Sequence, residues 1–180
     1  MVWEVRRGIR NDAAAGAFFT ARPLPRRMSD VEKRLAAAGH TIPPAPKPAA
    51  AYVPWTKSGK TVFVAGQIPT ADGKPVRTGK VGREVNLQDA QAVARVCALN
   101  AIAVLKEASN GHLDKVRILK TVNFCNVAPG FTDIHIVANG ASELFALAFG
   151  DKGKHARSSV GVPELPLNVP FEVEVIAELD

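Results

Sequence analysis

The sequence reads as one α+β domain, a mixed sheet of five or six strands with two long helices on one face. Three observations predict it. Phe171, Val173 and Val175 alternate with Glu172 and Glu174, the period of two that marks a half-buried strand. Ala90, Val93, Ala94, Cys97, Ala98, Ala101, Val104 and Leu105 recur at helical spacing within Leu87–Ala108. Between and around them the order runs β-β-(β)-α-β-α-β-β, which two amphipathic helices can cover on one side. The other sheet face then stays bare, and apolar residues on it favour self-association.

Each element follows from local signals. Ser29 or Asp30 caps a short helix, Val31–Ala38, that stops at Gly39. TIPPAPKPAAA after it is too rich in proline for helix or central strand and reads as an extended connector. Tyr52–Trp55 and Thr61–Ile68 read as strands around the turn KSGK, the second apolar on both sides and so central. Gly66 within it marks a bulge or a close backbone approach. ADGKP is a turn, followed by a short polar strand to Gly82. Asn86 is the N-cap of the long helix, and Asn110-Gly111 its stop. Lys115–Val127 is a strand, and APGFT a loop. A second helix, Val137–Phe149, turns Ala138, Ala141, Leu144, Phe145 and Ala148 inward and ends at Gly150. The stretch from His155 to Glu178 supplies a strand, a proline-punctuated loop and the last strand.

With 180 residues, 47% apolar and 22% charged, the chain has the composition of a globular domain with a real core. No stretch reaches the roughly 20 apolar residues that a membrane span needs. Its net charge of +6 is unevenly spread. Residues 1–28 hold six of the 23 basic residues (Arg6, Arg7, Arg10, Arg22, Arg26 and Arg27) but only Glu4 and Asp12 of the 17 acidic ones. The other 152 residues therefore carry 17 bases against 15 acids, and nothing in that balance calls for a nucleic-acid partner. Residues 1–28 stand apart from a single domain at 29–180 and fit three readings: a disordered basic tail, an organellar transit peptide, or an extension upstream of a start at Met28. MSDVEKRL reads as a natural beginning and favours the last. Two cysteines, Cys97 and Cys125, make no disulfide framework, so a reducing, cytoplasmic setting is expected, with an organelle the alternative if the first segment is a transit peptide.

The common catalytic signatures are missing: GxGxxG, a phosphate loop and GxSxG are all absent, and the four histidines lack metal-ligand spacing. No metal or cofactor is expected. Ser158-Ser159 has no evident activating base. What remains is Arg157, Glu172, Asn139 and Tyr52. Arg157 and Glu172, brought together by adjacent strands, form either a structural ion pair or a site for a carboxylate and a water. Asn139-Gly140 is either a cleft residue or a helix-start signal, and Tyr52 either cleft or core. The residues alone lead to a small-carboxylate site and no further.

These residues also sit in an ordered set of motifs. AGQIP at 65–69 with Tyr52 before it, NGASE at 139–143, and ARSSV followed by ELPLNVPFEVEVIA resemble the Rid family, also called YjgF-like or L-PSP endoribonuclease-like proteins. The similarity runs from about Pro44 to Leu179. It implies a chorismate mutase-like fold, in homotrimers whose sheets form a central barrel with clefts between subunits. It also implies cofactor-free hydrolysis of 2-imino acids, or their enamine tautomers, to 2-oxo acids and ammonia. By the match, Arg157 would clamp the substrate carboxylate and Glu172 would position the attacking water. Tyr52, reaching across the interface, and Asn139 would line the cleft, with Ala65, Gly66 and Ser159 at further cleft positions. Ala65 stands where the family has serine, Ser159 where cysteine is frequent, and FTDIHIVANG is longer than usual. The alternative implied activities are a non-catalytic trimeric module that binds a small carboxylate and, less favoured, RNA cleavage or translation inhibition.

Overall fold

A computed structural model describes residues 27–47 and 50–180; the reading of residues 1–28 as a separate segment lies almost wholly outside the described residues. The first element, α1 (Asp30–Ala37), forms because Ser29 and Glu32 cap each other. Ser29 Oγ accepts from the Glu32 backbone N–H at 3.2 Å, and the Glu32 carboxylate accepts from the Ser29 N–H at 2.7 Å. Two long-range contacts fix it to the body. The Asp114 carboxylate accepts from the Asp30 N–H at 3.0 Å, and Lys106 Nζ meets Glu32 at 2.7 Å. Val31 and Leu35 are buried.

Strands β1 (Trp55–Ser58) and β2 (Thr61–Gln67) form a hairpin whose turn uses Gly59 at φ 58°. The first strand begins at Trp55 and not at Tyr52. Pro54 has no N–H to give a ladder and contributes only its carbonyl, which accepts from the Ala65 N–H, so pairing starts after it. The small hairpin β3 (Thr70–Ala71) and β4 (Lys74–Pro75) turns on Asp72 and Gly73, both at positive φ. The polar strand expected on to Gly82 is reduced to β4 and isolated bridges of Val81 with Val85 and Val127.

Helix α2 (Leu87–Ala108) has the predicted bounds. Asn86 caps it by accepting from the Asp89 N–H, and Asn110 and Gly111 follow at positive φ. After β5 (Val116–Asn126), helix α3 (Ile134–Phe149) begins three residues before the expected start. Gly140 is thus no start signal. It lies mid-helix, where a side chain would collide with the Gln91 carbonyl, and its lack of one lets α3 approach α2. The chain closes with β6 (Ala156–Val162) and β7 (Phe171–Leu179).

The five-stranded sheet runs β1-β2-β7-β5-β6, antiparallel except for the parallel β5–β6 pair joined through α3. The last strand is therefore the middle one, and β2 lies one place from the edge. Val62, Val64, Ile118, Phe171, Val173 and Val175 meet Ala94, Cys97, Ala101, Leu105, Ala141 and Phe145 in one core. Small residues on α2 let the helix lie close to the sheet. The opposite face has no cover: Phe63 is 42% exposed and Val160 46%, with Val122, Phe124 and Ile176 beside them only partly buried. Their exposure matches the bare apolar face that the two-helix arrangement implies.

Candidate functional site

The residues singled out above fall into two groups. The first is built on the edge strand β6 and on α3. Arg157 stands opposite Thr121 of β5, which faces the helices, so its side chain rises on the helix side. There the guanidinium donates from Nη2 to the His135 carbonyl at 2.9 Å and from Nη1 to Ser142 Oγ at 3.1 Å. Two of its five N–H groups are thus anchored, and the exposed remainder is free for an anion. Asn139 lies between His135 and Ser142 on one stripe of α3, at i+4 and i+7 from His135, which sets it beside Arg157. Ser159 shares Arg157's side of β6, and its Oγ accepts from Asn123 Nδ2 at 3.2 Å. Asn123 is fully buried, with its Oδ1 left unpartnered among the described residues.

Sequence reasoning passed over two members of this group. Ser142 Oγ lies 3.1 Å from His155 Nε2, and His155 Nδ1 lies 2.6 Å from the Gly153 carbonyl. The edge of the Phe145 ring supports the imidazole, centroids 5.8 Å apart at 89°. Burial pushes the His155 pKa down, the Gly153 bond pulls it up, and nearby Arg157 pushes it down again; the net shift is downward. A histidine two residues before a strand arginine was the signal in the sequence, since alternation sets both on one side.

The second group is built on β2 and β7. Glu172 projects on the bare face of β7, opposite Phe124, and packs over Gly66 so closely that any Cβ there would strike its carboxylate. The β2–β7 register shifts between Val64 and Gln67, so Gly66 is both bulge and close approach. Glu172 is half-buried and accepts no side-chain hydrogen bond among the described residues. Burial first, and then Glu174, raise its pKa above the usual carboxylate range. Ala65 borders a hollow of about 290 Å³ on the same face, with Val122 and Glu174. Tyr52 and Gly66 line a separate cavity of about 650 Å³, closed by Gln67, Asn100, Leu167 and the proline-rich connector.

The two groups do not meet within one chain. Strand β5 lies between β6 and β7, so the expected adjacency of Arg157 and Glu172 is overturned, and with it the cross-strand ion pair. Arg157 aligns through Thr121 with Val175, three residues along β7 from Glu172. Strand spacings put the two backbones roughly 14 Å apart, with the side chains on opposite sheet faces. Sequence proximity at the chain end suggested a hairpin, but the Pro163–Pro170 loop carries β7 past β5.

The buried thiols are inert. Burial raises the Cys125 pKa to about 12 and that of Cys97 well above its ordinary value. Among the described residues no three His, Cys, Asp or Glu side chains group as metal ligands, and no helix is long and apolar enough to cross a membrane.

Comparison with known proteins agrees with this architecture. Residues 32–179 match the family described as "YjgF/chorismate mutase-like, putative endoribonuclease". Protein TCP17 of Trypanosoma cruzi is 40% identical over 152 residues, covering 83% of this chain and 94% of that protein. A 2-iminobutanoate/2-iminopropanoate deaminase of Dermatophagoides farinae is 30% identical over 141 residues, covering 78% of this chain and 94% of its own. The crystal structure of Atu1372 from Agrobacterium tumefaciens, a protein of unknown function, superposes with a TM-score of 0.79 at 44% identity, covering 83% of this chain and 92% of that one. With a match spanning residues 32–179 and a common fold, the chain belongs to the YjgF/chorismate mutase-like family.

Proposed function

We propose that the protein hydrolyses 2-imino acids to 2-oxo acids and ammonia, in a homotrimer where the Arg157 group of one copy faces the Glu172 group of another. The observation that carries this reading is the Glu172 carboxylate: half-buried, seated on Gly66, without a hydrogen-bond partner among the described residues, and with a raised proton affinity. A structural carboxylate is normally paired. An unpaired one on a bare sheet face is suited to hold a water and take its proton. Arg157, already fixed by two bonds, offers its free N–H groups to the substrate carboxylate. The apolar face around Phe63, Val160 and Ile176 supplies the surface on which copies associate.

The chemistry asks little of the protein. The C2 carbon of an iminium is electrophilic. Water adds to it as Glu172 takes a proton, giving a carbinolamine; the nitrogen gains a proton, the C–N bond breaks, ammonia leaves and the C2 carbonyl forms. Orientation of substrate and water is the main contribution. The name of the Dermatophagoides relative supports this substrate class. Ala65, in place of a hydroxyl at the cleft, favours a second reading, a 2-oxo acid binding module without turnover.

Ammonia release from imino acids generated in situ by an amino acid oxidase tests the proposal. Acceleration that disappears in Arg157→Ala and Glu172→Gln is the expected result. No acceleration with small, branched and aromatic imino acids would leave the binding-module reading in its place.

A further inference from the structure

Resting on that reading, we propose that Ser142 and His155 are positioning residues that hold the Arg157 guanidinium in register for a substrate carboxylate. The hydrogen bonds permit one arrangement for a neutral imidazole. The Gly153 carbonyl only accepts, so His155 Nδ1, 2.6 Å away, carries the proton. His155 Nε2 is then an acceptor, and Ser142 Oγ at 3.1 Å gives it the hydroxyl proton. Arginine only donates, so the bond from Arg157 Nη1 to Ser142 Oγ at 3.1 Å ends on a serine lone pair. Every donor in the row Arg157, Ser142, His155, Gly153 has its acceptor, and the serine hydroxyl can turn nowhere else without breaking one bond. The downward shift of the His155 pKa keeps the imidazole in this neutral form near pH 7.

The row is mechanically fixed at its far end. Gly153 is buried, where a Cβ would strike the Phe145 carbonyl, and the Phe145 ring edge stops the imidazole from tipping. At its near end the His135 carbonyl holds Nη2. Arg157 is thus gripped on both Nη atoms although it stands exposed on an edge strand, where a free arginine would sample many rotamers. A hydroxyl whose lone pair faces a guanidinium is a poor nucleophile, which separates this serine–histidine pair from a hydrolytic dyad.

The test uses the full chain with Ser142→Ala, Ser142→Thr, His155→Asn and Arg157→Ala. KM and kcat are measured for imino acid hydrolysis, and the Kd for 2-oxobutanoate, an unreactive carboxylate probe, by calorimetry. Ser142→Ala and His155→Asn are expected to raise KM and Kd about tenfold with kcat within about twofold of the parent. Ser142→Thr, which keeps the hydroxyl, restores both constants. Parental KM and Kd in Ser142→Ala and His155→Asn, beside a large loss in Arg157→Ala, would overturn the positioning role and leave the proposed function standing. Equal damage in Ser142→Thr and Ser142→Ala, or a fall in kcat alone, would also overturn it, since packing and not the hydroxyl would then be at issue. Unchanged 2-oxobutanoate binding in Arg157→Ala would sink both proposals together.

Discussion

The Glu172 carboxylate occupies the space that a side chain on residue 66 would need, so Gly66 and Glu172 act as one unit across the β2–β7 pair. A methyl at position 66 meets only the flexible end of Glu172 and not backbone. Gly66→Ala is therefore expected to fold, with a melting temperature within a few degrees of the parent. It swings the carboxylate away from its seat, and ammonia release falls on the order of 10–100-fold. A thermal melt beside the activity assay checks both halves.

Glu172→Gln separates stability from activity. The folded-state pKa of Glu172 lies above its ordinary value because burial penalises the charge. A raised pKa favours the folded state at low pH, and that advantage is lost as pH rises through the folded value. Removing the charge should thus raise the melting temperature at pH 7 and leave it nearly unchanged in acid. Imine hydrolysis should drop by about 100-fold or more, the usual loss for a missing proton acceptor.

Arg157→Ala removes the carboxylate clamp and, with it, a charge-assisted contact of about 2–5 kcal/mol. KM is expected to rise by at least about 30-fold, with little change in thermal stability, because the side chain is exposed. Steady-state kinetics and a melt decide this. Lysine at the same position should rescue poorly, since it lacks the planar fork that reaches His135 and Ser142 together.

Phe63→Glu tests the association of copies through the bare sheet face. Phe63 is 42% exposed and faces Ile176 across the β2–β7 pair. A charge there is expected to shift sedimentation from trimer to monomer and to abolish ammonia release, because the two residue groups then no longer meet. An active monomer would contradict the shared site.

The Glu32 carboxylate gives an acid-stability prediction. Burial raises its pKa, but bonds from Lys106 and Ser29 outweigh that and bring it from 4.5 to about 2. A depressed folded pKa contributes stability that is full above pH 4.5 and is lost as pH falls toward 2. Glu32→Gln should therefore cost on the order of 2–3 kcal/mol at pH 7 and flatten the fall in stability across that window. Urea titrations at several pH values measure it.

The sequence by itself determined the local features. Periodicity located α2 to the residue, the Ser29 cap, the inward residues of β7 and the buried cysteines, because each depends on neighbours a few positions away. It also carried the ordered motifs that place the chain in its family. Only the tertiary structure decided which strands are neighbours. Pairing is non-local: the chain from β6 to β7 passes β5, and nothing in the local pattern of residues 156–179 registers that strand from 116–126. The same non-locality hid Ser142 and His155, which lie 13 positions apart and meet only when α3 packs against β6. Tertiary packing likewise put Arg157 on the helix face and Glu172 on the bare face. The two residue groups therefore lie apart in each copy, because side chains on opposite faces of one sheet cannot converge within it.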